Sequence, residues 1–463
     1  MSMEMTTQEY VAELIKKARV AQKVANGYSQ ERVIELARVI ALTAIKNAET
    51  WAKMALEETD MGEYNSKVAR LNDRPRGTLR DLLNGKTVGV IEDNPETGIM
   101  KIAKPVGVIG GITPTTVPEV AIVVKSMNAL ACRNAIVFSP HPKAKKISLF
   151  IVEELRNAIA KFGAPADLIQ CIEDPTKEAS QELMSQCDLV IATGGSGLVK
   201  AAYSSGKPAY GVGTGNVVSV IDETANLQDA AHKIMESQTN DWGTGCSTEN
   251  SLVIQESVYD DMIKAMAKEG GVLLSSEDKK KLQDVMWIDG HLNGKIICRA
   301  PQRIADAAGI KIPEGTNFIL VEEDGIGKEH PYSGEKLSVV LTVYKYKDFD
   351  DAIKLVNDIQ AYMGAGHSCG IHSFNEEHIM KLASETRTSR VMINTPQNKA
   401  NAGNWKNGMP FTITLACGTW GGNITTENIH YKHYMNVTWV ARWFDDRERP
   451  SDEFLFGNML GKV

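Results

Sequence analysis

Residues 187–203 read CDLVIATGGSGLVKAAY. The run Leu189–Ala192 is a short, wholly apolar stretch, and it ends at Thr193-Gly194-Gly195. A buried strand looks like this, whereas Leu198, Val199, Ala201 and Ala202 beyond it recur at helical spacing. The segment is therefore a strand that hands over to a helix through a glycine turn. Backbone amides at such a helix start bind phosphate oxygens, and Gly194, Gly195 and Gly197 allow close approach of a ligand. The spacing is not GxGxxG, and a purely structural turn accounts for it equally well.

The same alternation extends in both directions. NAIVFSP (134–140) reads as a strand and KKISLFIVEELRNAIAKF (145–162) as a helix. GNVVSVID (215–222), NSLVIQ (250–255), NFILVEE (317–323), SVVLTVYKY (338–346) and RVMINTP (390–396) read as further strands, with a helix over 348–358. Apolar strands that alternate with amphipathic helices predict parallel sheets covered on both faces, an α/β fold. Residues 6–60 read as helices opened by a capping box at Thr6-Thr7-Gln8-Glu9, and 86–104 as a hairpin. This divides the chain into 1–239, 240–424 and an aromatic, charged segment 425–463 expected to serve packing or assembly.

A net charge of −7, with basic and acidic residues intermixed, argues against a general grip on nucleic acid or an anionic membrane. No run approaches the eighteen or so apolar residues of a membrane helix, and no signal-peptide pattern opens the chain. Seven scattered cysteines without a CxxC pair fit reduced thiols in the cytosol.

Cys246 stands in NDWGTGCSTENSLVI (240–254), between glycine-rich backbone and a strand. From this neighbourhood alone it is a nucleophile, a ligand or a small buried hydrophobe, and the last is commonest. No lysine or histidine is near in sequence to lower its pKa. Ser139, His141 and Lys143 in VFSPHPKAKK lie just past a strand end, where nucleotide sites of open α/β sheets form, although a solvated basic helix start reads the same way. GHSCGIHS brings His367, Cys369 and His372 together, but no second cluster supplies zinc-like spacing, so no metal is expected.

Taken in order, the glycine turn, GVGTGN, GTGCSTENSLVI, EKLS, GHSCGIHS and CGTWGGNITTENIHYKH resemble the CoA-acylating aldehyde dehydrogenases, over about residues 8–440. Sulfoacetaldehyde and succinate-semialdehyde dehydrogenases of the acylating kind look most similar, as does the N-terminal half of bifunctional aldehyde–alcohol dehydrogenases. No iron alcohol dehydrogenase segment follows, so a bifunctional enzyme is not expected. The resemblance implies two doubly wound α/β domains, an NAD(P)-binding one and a catalytic one, plus a β arm for assembly into a homodimer or homotetramer. It implies Cys246 as nucleophile and His367 beside the thiol chemistry. Glu335 would hold the nicotinamide ribose, Gly194 and Gly195 would line the pyrophosphate, and Ser139, His141 and Lys143 would lie near the adenosine. CoA would be the co-substrate. Hydrolytic members carry a water-activating glutamate at about Gly211, and glycine cannot act as a base, so transfer to a thiol is favoured over water.

Two segments depart from the family pattern. PTTNPT reads PTTVPE here, which removes any role for Val117 as a polar donor and leaves Thr115 and Thr116 as candidate substrate contacts. NTPQNKANAGNWKNGMPF adds Lys399 and Lys406, expected either as a solvated loop or as the grip on an anionic aldehyde, with sulfoacetaldehyde placed first, succinate semialdehyde second and acetaldehyde third. No acidic residue in SPHPKAKK opposes a 2′-phosphate, so NADP is permitted and preferred, without excluding NAD. The rival readings are a hydrolytic aldehyde dehydrogenase, an acyl-phosphate reductase and an inactive scaffold; Gly211 opposes the first, and the retained Cys246 and Glu335 oppose the last.

Overall fold

The computed structural model describes residues 5–462. Four helices open the chain: α1 (Thr7–Ala25), α2 (Gln30–Lys46), α3 (Ala48–Thr59) and α4 (Tyr64–Asn84). The Thr6/Glu9 capping box closes α1 as the sequence predicts. Helix α4 is polar and contains Pro75, yet Glu63 caps its start and Lys67, Leu71, Pro75, Thr78 and Leu82 bury one stripe. That stripe aligns Lys67, Arg70 and Arg74 on neighbouring turns.

Strands β1 (Gly89–Asn94) and β2 (Ile99–Pro105) form the expected antiparallel hairpin. A parallel five-stranded sheet follows. It comprises β3 (Val108–Thr113), β4 (Ala135–Pro140), β5 (Ile169–Cys171), β6 (Leu189–Thr193) and β7 (Ala209–Val212), in the order β5-β4-β3-β6-β7. Helices α5 (Pro118–Ala131), α6 (Lys145–Lys161), α7 (Lys177–Gln186) and α8 (Ser196–Tyr203) connect these strands. The strands read as continuous apolar runs because both faces are covered: every residue of β3 and β4 is buried.

The second parallel sheet has seven strands in the order β10-β13-β14-β9-β8-β15-β16. These are β8 (Val217–Ile221), β9 (Glu249–Gln255), β10 (Gly271–Leu273), β13 (Phe318–Glu322), β14 (Val340–Tyr346), β15 (Cys369–His372) and β16 (Val391–Ile393). A small hairpin, β11 (Trp287–Ile288) with β12 (His291–Leu292), stands apart. Helix α9 (Leu227–Thr239) sends Ala230, Ala231 and Ile234 into this second core.

One sequence boundary shifts. The chain leaves the first sheet after Val212 and enters the second at Val217, not at 239/240, because β8 bonds to β9 and β15 rather than to β7. The terminal segment packs onto the first domain, where Ile429 and Tyr434 join the core. Strand β17 (Met435–Ala441) then pairs with β2 from Met435–Pro105 to Ala441–Ile99, which makes the arm three-stranded.

Candidate active site

In the five-stranded sheet, the chain winds outward through β4 and β5, then reverses to β6 on the other side of β3. A crevice forms at the carboxyl ends of strands at such a reversal. A cleft of about 570 Å³ lies there, lined by Thr113, Ser139, His141 and Thr193–Gly195. Its opposite wall comes from the second sheet and carries Thr244–Ser247, Glu335, Leu337 and Asn398.

That wall is built from strand order. Neighbouring strands β14, β9, β8 and β15 begin just after Glu335, Cys246, Gly215 and His367 respectively. Residues up to 152 positions apart thus meet at one sheet edge, the span from Gly215 to His367. His367 Nε2 lies 3.2 Å from Cys246 Sγ, and His367 Nδ1 is 2.9 Å from Ser368 Oγ. The Gly215 N–H donates to Glu335 Oε1 at 2.9 Å. A methyl group on Gly215 would fall 2.0 Å from the Cys246 carbonyl oxygen, so only glycine lets these two loops touch. Six of the seven cysteines are buried, and Cys246 is partly buried at the cleft.

The loop before the thiol is tied to α4. Asp241, fully buried, accepts from the Glu63 N–H at 2.6 Å and from Thr244 Oγ1 at 2.8 Å, and pairs with Arg70 at 2.8 Å and Lys67 at 3.3 Å. Burial opposes its ionisation, but Arg70 and Lys67 outweigh burial and hold Asp241 below the usual carboxylate range. Asn398 secures the other side of the loop by donating to Ser237 O, Asn240 O and Thr248 Oγ1. Arg390 donates to His367 O and Ala416 O, both at 2.7 Å, and so fixes the histidine backbone.

Burial dominates the titration of the site. It pushes the Cys246 thiol up to about 12, with Glu335 and Cys417 adding to the shift and Arg390 opposing it. It lowers His367 to about 3, with Arg390 in the same direction. It raises Glu335 to about 8, against the Gly215 N–H and Lys336. The thiol and imidazole are therefore both neutral, and a neutral Nε2 is the atom placed to accept the thiol proton.

The other expected residues divide. Ser139, His141, Gly194, Gly195, Thr115, Thr116 and Glu335 line the cleft. Ser139 Oγ lies 2.8 Å from Ser180 Oγ. Lys143 is exposed and outside the lining, giving only its backbone N–H to His141 Nδ1 at 3.1 Å; Lys177 supplies the cation at this end. Lys399 and Lys406 are likewise outside the cleft, because Lys399 pairs with Glu236 at 3.0 Å and Lys406 is exposed. Gly211 sits in β7 against Tyr203, exchanging 3.2 Å hydrogen bonds with its hydroxyl, and within GVGTGN it is Gly213 that lines the cleft. The three residues of GHSCGIHS diverge: His367 faces Cys246, while Cys369 Sγ faces Thr386 and Thr388. Sequence reading missed Gly215, Asn398, Arg390 and the cationic face of α4. The paired departures held one clue, since Glu119 is fully buried 3.7 Å from Arg70.

The sequence profile of the aldehyde dehydrogenase family matches residues 1–279 and 333–412. The chain belongs to the aldehyde dehydrogenase family. Among aldehyde dehydrogenases it is 44% identical to the sulfoacetaldehyde dehydrogenase of an Acholeplasma species, over 97% of this chain and 94% of that one. It is 40% identical to the acetylating succinate-semialdehyde dehydrogenase of Clostridium kluyveri, over 98% of this chain and 100% of that one. The crystal structure of an acetylating aldehyde dehydrogenase from Geobacillus thermoglucosidasius superposes with a TM-score of 0.92 at 37% identity, covering 96% of this chain and 98% of that one. The Rhodopseudomonas palustris propionaldehyde dehydrogenase with bound CoA and an acylated cysteine superposes with a TM-score of 0.80 at 28% identity, covering 93% of this chain and 97% of that one.

Proposed function

We propose that this aldehyde dehydrogenase oxidises a small anionic aldehyde, sulfoacetaldehyde first and succinate semialdehyde second, with NAD(P)+ and CoA to the acyl-CoA. The observation that carries the reading is the neutral Cys246–His367 pair in a cleft whose only lining carboxylate, among the described residues, is Glu335. Glu335 Oε1 is taken by the Gly215 N–H, and no other carboxylate lines the cleft among the described residues.

The residues fit a nicotinamide dinucleotide and CoA. A carboxylate, a hydroxyl and a glycine turn at a helix start face one cleft, the set that suits ribose hydroxyls and phosphates. When bound, the nicotinamide supplies a hydride acceptor. The chain does the rest. Cys246 gives its proton to His367 Nε2 and its sulfur bonds to the aldehyde carbon. Loss of hydride from that carbon leaves a thioester on Cys246, and His367 releases the proton it took to solvent. The CoA sulfur then attacks the thioester carbon, the bond to Cys246 breaks, and the CoA thiol proton restores the cysteine thiol. One thioester replaces another at little cost in free energy, so the sequence is reversible.

Among the described residues no carboxylate lines the Ser139–His141 end of the cleft, which supports NADP as the preferred cofactor. Apolar residues exposed on and beside the arm, Trp439, Trp443 and Phe454, support assembly into a homodimer or homotetramer. No helix of the described residues is long and apolar enough to cross a membrane; with seven unpaired cysteines, this supports a reducing cytosolic setting. The test is NAD(P)H formation from each aldehyde with CoA, with phosphate, or with neither. CoA-dependent turnover is expected, and turnover indifferent to CoA would overturn the proposal.

A further inference from the structure

Four charged side chains line the cleft: Arg70, Arg74, Lys177 and Glu335. Lys177 shares the nucleotide end with Ser139 and Ser180, whereas Arg70 is tethered to the thiol loop and Arg74 to the loop at 402–403. Arg70 reaches that loop through Asp241. Arg74, one turn along the same face of α4, gives its Nη1 to Ala402 O at 2.6 Å and Gly403 O at 2.7 Å.

The charges here do not balance. Lys67 and Arg70 are matched by Asp241 and Glu119, two cations against two carboxylates. Arg74 has no carboxylate within ion-pair distance among the described residues. Its Nε and Nη2 make no hydrogen bond to the protein and are not sealed from solvent. Phe411 lies under its guanidinium at 5.4 Å, so the group is held on one edge and one face and open on the other edge. A partly buried cation without a partner is costly, and an arginine fork matches the planar spread of oxygens on a carboxylate or sulfonate.

We infer that Arg74, held in place by Ala402 and Gly403, binds the negative group at the far end of the aldehyde and sets the enzyme's preference for anionic substrates. Arg70 serves differently: its charge is absorbed by Asp241 and Glu119, and it positions the thiol loop. The inference rests on the anionic-aldehyde reading above and replaces Lys399 and Lys406 as the source of the charge.

The test uses the full chain and two readouts. The first is the ratio of kcat/KM for sulfoacetaldehyde to that for propionaldehyde, in wild type, Arg74→Gln and Arg74→Lys. The ratio should fall about 30-fold or more in Arg74→Gln, the loss expected when one partner of a desolvated charge pair is removed, and recover partly in Arg74→Lys. The second readout needs no turnover: protection of Cys246 from iodoacetamide by ethanesulfonate. Wild type should be protected saturably, and Arg74→Gln should need at least about tenfold more ethanesulfonate. Equal loss on both aldehydes with unaltered protection would overturn the inference, as would a rise confined to the KM for CoA. If wild type shows no CoA-dependent turnover but Arg74-dependent protection persists, the reaction assignment fails and the anion site stands.

Discussion

The imidazole of His367 lies 3.2 Å from the Cys246 thiol, yet both groups are held neutral by burial. A pre-formed thiolate–imidazolium pair would react fully at neutral pH; a neutral pair would not. Alkylation of the free enzyme's Cys246 by iodoacetamide should therefore keep climbing through pH 9, because the thiolate is the nucleophile and the thiol sits near 12. Burial is the main cause, and Glu335, charged above about pH 8, adds to it, so Glu335→Gln should shift the profile to lower pH. A plateau with a midpoint near neutrality would contradict this.

His367→Asn should slow the first hydride transfer by about 10²–10⁴, the ordinary contribution of a positioned base. The measurement is the pre-steady-state burst of NAD(P)H. Cys246→Ala should abolish both the burst and the acyl-enzyme seen by mass spectrometry.

Gly215→Ala places a methyl 2.0 Å from the Cys246 carbonyl, so the thiol loop must shift. A displacement of about 1 Å at reacting atoms costs on the order of 10²-fold in kcat. Gly195 has open space around it, and Gly195→Ala should melt with wild type. Activity retained in Gly215→Ala would show that the two loops can separate.

Glu335 is raised to about 8 when folded, from about 4.5. The folded state then holds a proton that the unfolded chain has lost, so its stabilising contribution is full below pH 4.5 and is lost as pH rises through 8. Glu335→Gln cannot ionise. Its Tm relative to wild type should therefore rise between pH 5 and pH 9, read by thermal melts across that range.

Lys399→Ala and Lys406→Ala should change the KM for sulfoacetaldehyde by less than about twofold, since Lys399 is already paired with Glu236 on the surface and Lys406 projects outside the cleft. A tenfold rise in either would return the anion site to that loop.

The sequence by itself determined the α/β class, the strand–turn–helix at 187–203, the arm hairpin and the family. These are written locally: apolar runs of strand length, caps such as Thr6 with Glu9, and motifs in a fixed order. It also singled out Cys246, Glu335 and His367, through the family resemblance and not through their neighbourhoods. Tertiary structure alone decided which residues meet. Strand order in the second sheet sets Gly215 between the loops of Cys246, Glu335 and His367. The break between the two sheets falls after β7, because hydrogen bonding assigns β8 to its new neighbours, and no residue at 213–216 announces it. Charge is the sharpest case. In the sequence, Lys399, Lys406, Arg70 and Arg74 are all cations, but packing pairs one, exposes another and braces a third against Asp241. Of these four, Arg74 alone faces the cleft without a counter-ion, because charge becomes specific only when burial removes water and the neighbouring carboxylates are already taken.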